Sequence, residues 1–286
     1  MADVLRTLDD PGRPTLHEFT ASDGYGWHYR RFAAPGPVTA RVVFLHGIQS
    51  HGGWYPRSCA AIAAAGYEVF FLDRRGSGLN SESRGDAPSF RVCLDDIAEF
   101  LRSLPTDRPR FLAAISWGGK LGVALEYRHP GLIDGLALIC PGFFPNVRPG
   151  FIERLRIVRC AFRNPTRRFP IPLNDPALFT ASAEGREFIR ADPLALHTAT
   201  ACLLFQSAAL DLYLRRAWQR VAVPTLLLLA GQDQIIDNAK TKAFVERFLV
   251  PTQVIEYPAA HHTLEFEPAG PPFVADFLAW LASGDA

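Results

Sequence analysis

The sequence predicts an α/β domain in which helices cover both faces of a mostly parallel β-sheet. Short β-rich runs alternate with longer helical patterns over most of the 286 residues. The chain is 48% hydrophobic and balances 30 Lys+Arg against 29 Asp+Glu, which suits a large buried core and excludes a disordered chain. No apolar run approaches the roughly 18 residues of a membrane span. These features together predict a globular α/β protein.

The individual elements follow from turn chemistry and apolar patterning. Two β-rich runs around the turn Asp23-Gly24 predict an opening hairpin of residues 15–20 and 27–32. Further apolar runs between turn signals predict strands, and longer segments predict helices that end at glycine or proline. The strands are expected at 41–45, 67–72, 111–115, 135–139, 225–230 and 252–257, and the helices at 58–65, 94–104, 118–127, 238–248 and 272–281.

The alternation stops between residues 141 and 218 and then resumes. This stretch shows helical segments separated by Pro-rich turns, with no predicted strand. An interruption of this size predicts an insertion over the strand ends. We therefore expect a core of residues 15–142 and 219–286 and a helical cap, or lid, at 143–218.

One helix of the expected cap combines an apolar stripe with many arginines. The stripe has helical spacing and consists of Phe151, Leu155, Val158 and Phe162. The arginines around it are Arg148, Arg154, Arg156, Arg159, Arg163, Arg167 and Arg168. The pattern favours a helix that packs its stripe on the main domain and keeps a solvated basic face. A mobile lid that contacts lipid phosphates at a membrane surface is the second interpretation.

Cysteine content and charge narrow the class of protein. The five cysteines are widely spaced and form no C-x-x-C pair, so neither a disulfide scaffold nor a zinc knuckle is expected. Residues 1–14 contain three aspartates and lack the apolar core of a signal peptide. A net charge of +1 gives no reason to expect nucleic acid as a partner. We expect a soluble, reduced, cytoplasmic protein.

Ser116 is the candidate nucleophile. It follows the apolar strand 111–115 and precedes a predicted helix, and a serine on such a sharp turn needs small residues two positions before and after it. Ala114 and Gly118 meet this requirement, although alanine replaces the usual first glycine of G-x-S-x-G. The turn would place the hydroxyl at the carboxyl edge of the sheet. An ordinary helix N-cap serine is the alternative.

A serine hydroxyl needs a base, and the base needs a carboxylate. Asp233 and His262 each follow a predicted strand, so both belong at the same edge as Ser116. The order Ser, Asp, His is the one that this type of fold uses. Asp237 lies one helical turn after Asp233, and His261 adjoins His262, so the choice within each pair stays open.

The oxyanion that forms during acyl transfer needs two backbone N–H donors. Trp117 follows Ser116, and Ile48 lies in the Gly-rich loop of residues 46–55, so these two amides are our candidates. The histidines of that loop, His46 and His51, are expected to be structural. The pair His261-His262 with Glu265 lacks the spacing of a helical zinc site, so we expect no metal and no cofactor.

Taken together, these motifs resemble the α/β-hydrolases, most closely the monoacylglycerol lipase and lysophospholipase branch. They are H-G-x-x-x-H at 46–51 with Tyr55 beyond it, D-x-R-G-x-G at 73–78, the serine turn at 114–118, G-x-D at 231–233, D-P-L at 192–194 and H-x-L-x-x-E at 262–267. The resemblance covers about residues 15–283. It departs at Ala114, at the bulky Ile48 and in the Arg-rich stretch 148–168.

The resemblance implies a function and a role for each site residue. It implies hydrolysis of carboxylic esters (monoacylglycerols, lysophospholipids or small acyl esters) beneath a helical cap. By position it assigns Ser116 as nucleophile, Asp233 as acid, and His262 rather than His261 as base. It assigns Ile48 and Trp117 as oxyanion donors.

The sequence leaves two other functions open. Ser-Trp-Gly-Gly at 116–119 resembles the serine turn of proline iminopeptidases. Their H-G-G-P-G loop is absent, however, and a peptide ammonium group would meet an arginine-rich cap. A catalytically silent fold that binds a ligand or a partner is the third hypothesis, and the intact triad candidates weigh against it.

Overall fold

The computed structural model describes residues 13–283, and its centre is an eight-stranded sheet. The sheet order is β1-β2-β4-β3-β5-β6-β9-β10, with β2 antiparallel to both of its neighbours and all other pairs parallel. The strands of the chain are β1 Thr15–Thr20, β2 Gly26–Phe32, β3 Arg41–Leu45, β4 Glu68–Leu72, β5 Arg110–Ile115, β6 Gly135–Ile139, β7 Arg168–Pro170, β8 Thr198–Thr200, β9 Thr225–Ala230 and β10 Thr252–Tyr257.

Eight α-helices are formed by the described residues. They are α1 Pro56–Ala64, α2 Phe90–Ser103, α3 Trp117–Arg128, α4 Phe151–Arg163, α5 Ala183–Ala191, α6 Ala201–Ala217, α7 Asn238–Val245 and α8 Phe273–Ala282. Each predicted strand and helix of the core is confirmed, some with the predicted ends and others with shifted ends. The helix α2 begins four residues earlier than predicted because Ser89 caps it, accepting a hydrogen bond from the Val92 N–H.

The central strands bury both faces. Every residue of β3, β4, β6 and β9 is buried, as expected for parallel strands that are covered by helices on both sides. Their continuous apolar runs (VVFL in β3, LLLLA in β9) reflect this burial. Parallel strands end at one edge of the sheet, so the loops that follow β3, β5 and β9 converge there.

Residues 143–218, here called the cap segment, leave the sheet after β6 and return before β9. They form α4, α5 and α6, and α6 packs against α2, α3 and α4. The prediction of helices alone is wrong here, because β7 and β8 form a separate antiparallel pair. These strands have three residues each, too few for a period to be read from the sequence.

The apolar stripe of α4 faces solvent. Phe151 and Phe162 are 68% and 74% exposed, and Leu155 and Val158 are also exposed. The favoured interpretation, a helix that packs this stripe on the main domain, is therefore wrong. The helix instead buries another face, carrying Ile157 and Cys160, against Phe169 and Ala201. The apolar spacing of α4 does not identify its buried face, because that face is set by the neighbouring segments that pack against the helix.

None of the helices within residues 13–283 has the length and apolarity needed to cross a membrane. The prediction about the amino-terminal 14 residues falls mainly on residues 1–12, outside the described part of the chain.

Candidate active site

Ser116 occupies a strained turn between β5 and α3. Its φ and ψ are 51° and −119°, a conformation that side-chain-bearing residues rarely adopt. The turn packs tightly: a Cβ at Gly118 would lie 2.7 Å from the Leu45 carbonyl oxygen. The alanine at position 114 is accommodated by Gly122, whose own Cβ would lie only 3.1 Å from that of Ala114. The close packing holds the hydroxyl at the edge of the sheet.

Ser116, His262 and Asp233 form one hydrogen-bonded chain. The Ser116 Oγ lies 3.0 Å from Nε2 of His262, and Nδ1 of the same ring lies 2.6 Å from Oδ2 of Asp233. The side chains of His262 and Asp233 are almost completely buried. Oδ1 of Asp233 accepts the N–H groups of Ile235 and Ile236, which fixes the carboxylate. This arrangement can take a proton from the hydroxyl when Oγ attacks an electrophile.

The neighbours of these residues have other partners. Asp237 caps α7 by accepting the Lys240 N–H at 3.0 Å. The backbone N–H of His261 donates to Glu267 at 2.8 Å, and the ring of His261 also lies beside that carboxylate. The structure thus brings His262 and Asp233, and not their neighbours, to Ser116.

The loop after β3 lies directly against the serine. A Cβ on Gly47 would lie 3.3 Å from that of Ser116, so glycine avoids a tight contact at this approach. Ile48, Ser116 and Trp117 line one cleft. Trp117 is the first residue of α3, where N–H groups lack intrahelical acceptors. The two predicted oxyanion donors therefore belong to residues that line the same cleft as the nucleophile.

Arg74 is a site residue that the sequence analysis did not single out. Its guanidinium donates to the Ile48 carbonyl at 2.6 Å and lies 4.9 Å from the centre of the Trp117 ring. It therefore contacts both residues that carry the candidate oxyanion donors. Burial lowers the pKa of Arg74 to about 10, and the side chain remains a cation at neutral pH.

The two histidines of the loop form hydrogen bonds to groups other than the Ser116–His262–Asp233 chain. His46 Nε2 accepts a hydrogen bond from the backbone N–H of Arg74, and burial lowers the pKa of His46 to about 3. His51 Nε2 hydrogen-bonds to Asp192 of the cap segment at 2.9 Å, and Trp54 Nε1 donates to the same carboxylate oxygen. The carboxylate of Asp192 is thus one of the attachments of the cap segment to the core.

Glu265 connects the loop of His262 to helix α1. Its Oε1 accepts the N–H groups of Arg57 and Ser58, at 2.7 and 3.2 Å, in the first turn of α1. Burial raises the pKa of Glu265 to about 7 despite these hydrogen bonds. Because Glu265 lies three residues after His262, these bonds hold the segment that carries the candidate base.

One group of potential metal ligands lies in the same place. Ligand atoms of Cys140, Asp233 and His262 lie within 4.8 Å of one another. Burial, followed by the nearby charge of Asp233, raises the pKa of the Cys140 thiol well above its ordinary value. Metals bind the thiolate, which these surroundings disfavour. The group fits a hydrogen-bonded relay better than a metal site.

The serine opens onto a cleft of about 690 Å³ beneath the cap segment. Its wall is mainly apolar and is formed by residues that include Phe143, Phe144, Ile157, Leu204, Phe205 and Ile236. A cleft of this size and polarity suits an acyl chain.

The mostly parallel sheet, the strained serine turn and the strand-end relay define the α/β-hydrolase fold. A family model described as "Serine aminopeptidase, S33" matches residues 36–269, and the chain belongs to this family.

Relatives and solved structures agree with this assignment. The chain is 24% identical to a monoacylglycerol lipase of Mycolicibacterium smegmatis over 279 residues, covering 93% of this chain and 96% of the relative. It is 26% identical to lysophospholipase L2 of Escherichia coli, covering 80% and 74%. A soluble variant of the Saccharomyces cerevisiae monoglyceride lipase superposes with a TM-score of 0.83 at 19% identity and 97% coverage of both chains. The fold is therefore shared over almost the whole chain.

Proposed function

We propose that this protein hydrolyses carboxylic esters through an acyl-enzyme on Ser116. The observation that carries the proposal is the Ser116–His262–Asp233 relay at the floor of an apolar cleft. The names of the relatives, monoacylglycerol lipase and lysophospholipase, support the same reaction class. Monoacylglycerols, lysophospholipids and small acyl esters are the proposed substrates, because the mainly apolar cleft of about 690 Å³ suits an acyl chain.

In the first step Ser116 Oγ attacks the ester carbonyl carbon, and Nε2 of His262 takes the hydroxyl proton. Asp233 stabilises the resulting imidazolium. The carbonyl oxygen becomes an oxyanion, and the amides of Ile48 and Trp117 donate to it. The C–O bond to the alcohol then breaks, and His262 gives its proton to the leaving oxygen.

In the second step water attacks the acyl-enzyme. His262 now takes a proton from water, and the second oxyanion collapses by breaking the bond to Ser116. The serine oxygen regains its proton, and the carboxylic acid leaves. No cofactor takes part in this scheme.

The substitution Ser116→Ala tests the proposal. Loss of a triad nucleophile lowers kcat by roughly 10⁶, so we expect hydrolysis of p-nitrophenyl butyrate near the background rate. Ser103→Ala, at the far end of α2, is the matched control and should retain wild-type turnover. Activity above a few per cent in a folded Ser116→Ala protein would contradict the assignment.

An aminopeptidase is the second candidate, because the description of the matching family names that activity. Several cations line the cleft, and they would repel the ammonium group of a peptide substrate. We therefore expect hydrolysis of acyl esters and no hydrolysis of a proline arylamide in parallel assays. The reverse result would favour the aminopeptidase.

We also propose that the cap segment 143–218 is a movable lid over the core of residues 15–142 and 219–286, and that α4 makes transient contact with membranes. The exposed apolar side chains of α4 lie among exposed arginines (Arg154, Arg156, Arg159 and Arg163). An apolar face bordered by cations is complementary to an anionic lipid surface. This contact would bring the cleft to lipid esters.

A reducing compartment, the cytoplasm, is the proposed location. All five cysteines are free thiols, and four of them are buried. Oxidising compartments favour paired cysteines.

A further inference from the structure

A buried lysine forms part of the cleft wall one helical turn beyond Ser116. Lys120 is one of only three lysines in the sequence, and its side chain is 5% exposed. Its Nζ donates to Oδ1 of Asp211 on α6 at 2.5 Å, the one hydrogen bond that this ammonium makes to the described residues. An ammonium has three N–H donors. Two of them therefore have no acceptor among residues 13–283, and the lysine that carries them lines the cleft.

The charges around the cleft are mostly of one sign. The lining contains five cations and a single carboxylate, that of Asp211. Four of the cations are exposed arginines that form no ion pair with any carboxylate of residues 13–283, namely Arg148, Arg154, Arg215 and Arg247. Asp211 is 43% exposed, so water solvates it far better than it solvates Lys120. The wall therefore carries a net positive charge. Its buried cation is Lys120, one helical turn from the nucleophile.

A structural ion pair between α3 and α6 does not account for this arrangement. Removing an ammonium from water is costly unless its donors are satisfied, and the one carboxylate supplies an acceptor for a single donor. An anion entering the cleft would supply the missing acceptors through charge-assisted hydrogen bonds. The exposed arginines around the cleft would attract the same anion from solution.

We infer that the preferred substrates are esters that carry a carboxylate or phosphate, and that Lys120 selects for this group. The inference rests on the proposed ester hydrolysis and specifies its substrate class. Four residues span about 6 Å along a helix. The anionic group is therefore expected within a few bonds of the scissile carbonyl, with hydrocarbon against the apolar remainder of the cleft.

Two pairs of substrates reveal which part of the ester carries the anion. In the first pair the acyl group carries it: p-nitrophenyl monoadipate is compared with p-nitrophenyl 6-methylheptanoate, a neutral ester of the same shape. In the second pair the alcohol carries it: 1-octanoylglycerol 3-phosphate is compared with 1-octanoylglycerol. The readout is the ratio of kcat/KM, anionic over neutral, within each pair. We expect a ratio of at least about ten in one pair for the wild type, because a charge-assisted contact contributes this much.

Three variants test the role of Lys120. Lys120→Met should lower that ratio at least about tenfold, and Lys120→Arg should retain most of it because the charge remains. Asp211→Asn should raise it, because the ammonium loses its competing partner. Lys242→Met is the matched control: it removes a lysine–glutamate pair with Glu256 outside the cleft and should leave the ratio unchanged.

The outcomes separate this inference from the proposed function. Wild-type turnover of the neutral esters with no preference for either anion would overturn the inference and leave ester hydrolysis standing. An undiminished preference in a folded Lys120→Met protein would also overturn it. If Lys120→Met does not fold, an unchanged ratio in Asp211→Asn contradicts the role of Lys120 instead. No turnover of any ester by the wild type would overturn both proposals.

Discussion

At the scale of single residues, the proposed reaction depends on groups that hold the reacting atoms in place. Arg74 contacts the Ile48 carbonyl and the Trp117 ring, and so helps to hold the two residues whose amides are the candidate oxyanion donors. The oxyanion exists only at the transition state and in the intermediate. Arg74 is therefore a positioning residue that should act on kcat more than on KM.

The substitution Arg74→Met tests this role. We expect kcat for a p-nitrophenyl ester to fall about 10- to 100-fold, somewhat less than the loss of a whole oxyanion donor, while KM changes little. Arg91→Met is the control, since Arg91 also lies over aromatic rings, those of Phe90 and Tyr213, away from the cleft. Wild-type kcat in a folded Arg74→Met protein would refute the positioning role.

The sequence permits prediction of some of these residues and not of others. Ser116, Asp233 and His262 follow strands and share an order, so their proximity is predictable from the alternation of elements; their catalytic roles remain predictions. Arg74 and Lys120 act through contacts with residues distant in the chain. The only local sign of Lys120 is a charge within an otherwise small and apolar helix start, S-W-G-G-K-L-G.

At the scale of elements, the loop of His262 is held by Glu265 at the start of α1. The pKa of this carboxyl is raised from 4.5 to about 7 in the folded protein. The folded state therefore binds the proton more tightly than the unfolded state. Its contribution to the unfolding free energy is fully present below about pH 4.5 and is lost as the pH rises to about 7.

Glu265→Gln should remove this pH dependence of the unfolding free energy. Oε1 accepts both N–H groups of α1, and Oε2 shares the one from Ser58 at 3.3 Å. A glutamine amide oxygen in the place of Oε1 can therefore keep both hydrogen bonds. Between pH 4.5 and 8 the wild type should lose about 2–4 kcal/mol of unfolding free energy relative to the variant. Urea unfolding across this range measures the difference. A difference between the two proteins that does not change with pH would contradict the proposed linkage.

Sequence patterns predict the core strands but not all elements of the cap segment. The core strands were predictable because parallel strands buried on both faces are continuously apolar. The pair β7–β8 was not, because three-residue strands have no readable period. The buried face of α4 was predicted wrongly because four apolar residues at helical spacing usually mark the buried side. Here a narrower face with Ile157 and Cys160 is covered instead.

At the scale of the whole molecule, the proposed contact with membranes depends on the exposed apolar face of α4. Vesicles containing anionic phosphatidylglycerol should bind the wild type more tightly than phosphatidylcholine vesicles, and salt should weaken the binding. Phe162→Asp should reduce vesicle binding about tenfold and leave turnover of water-soluble esters intact, since Phe162 lies outside the cleft lining.

Leu249→Asp is the control for this experiment, because Leu249 is 62% exposed on the core rather than on α4. It should bind vesicles as the wild type does. Equal binding by the wild type and Phe162→Asp in a co-sedimentation assay would refute membrane contact through α4.

The central claim, that Ser116 is activated by the His262–Asp233 pair, is tested most directly by covalent labelling. A fluorophosphonate probe reacts only with an activated serine, and peptide mass spectrometry locates the adduct. We expect one adduct, on Ser116, and none in Ser116→Ala; in His262→Ala labelling should be strongly slowed. An unlabelled wild-type protein, or an adduct on another serine, would contradict the account and favour a fold used only for binding.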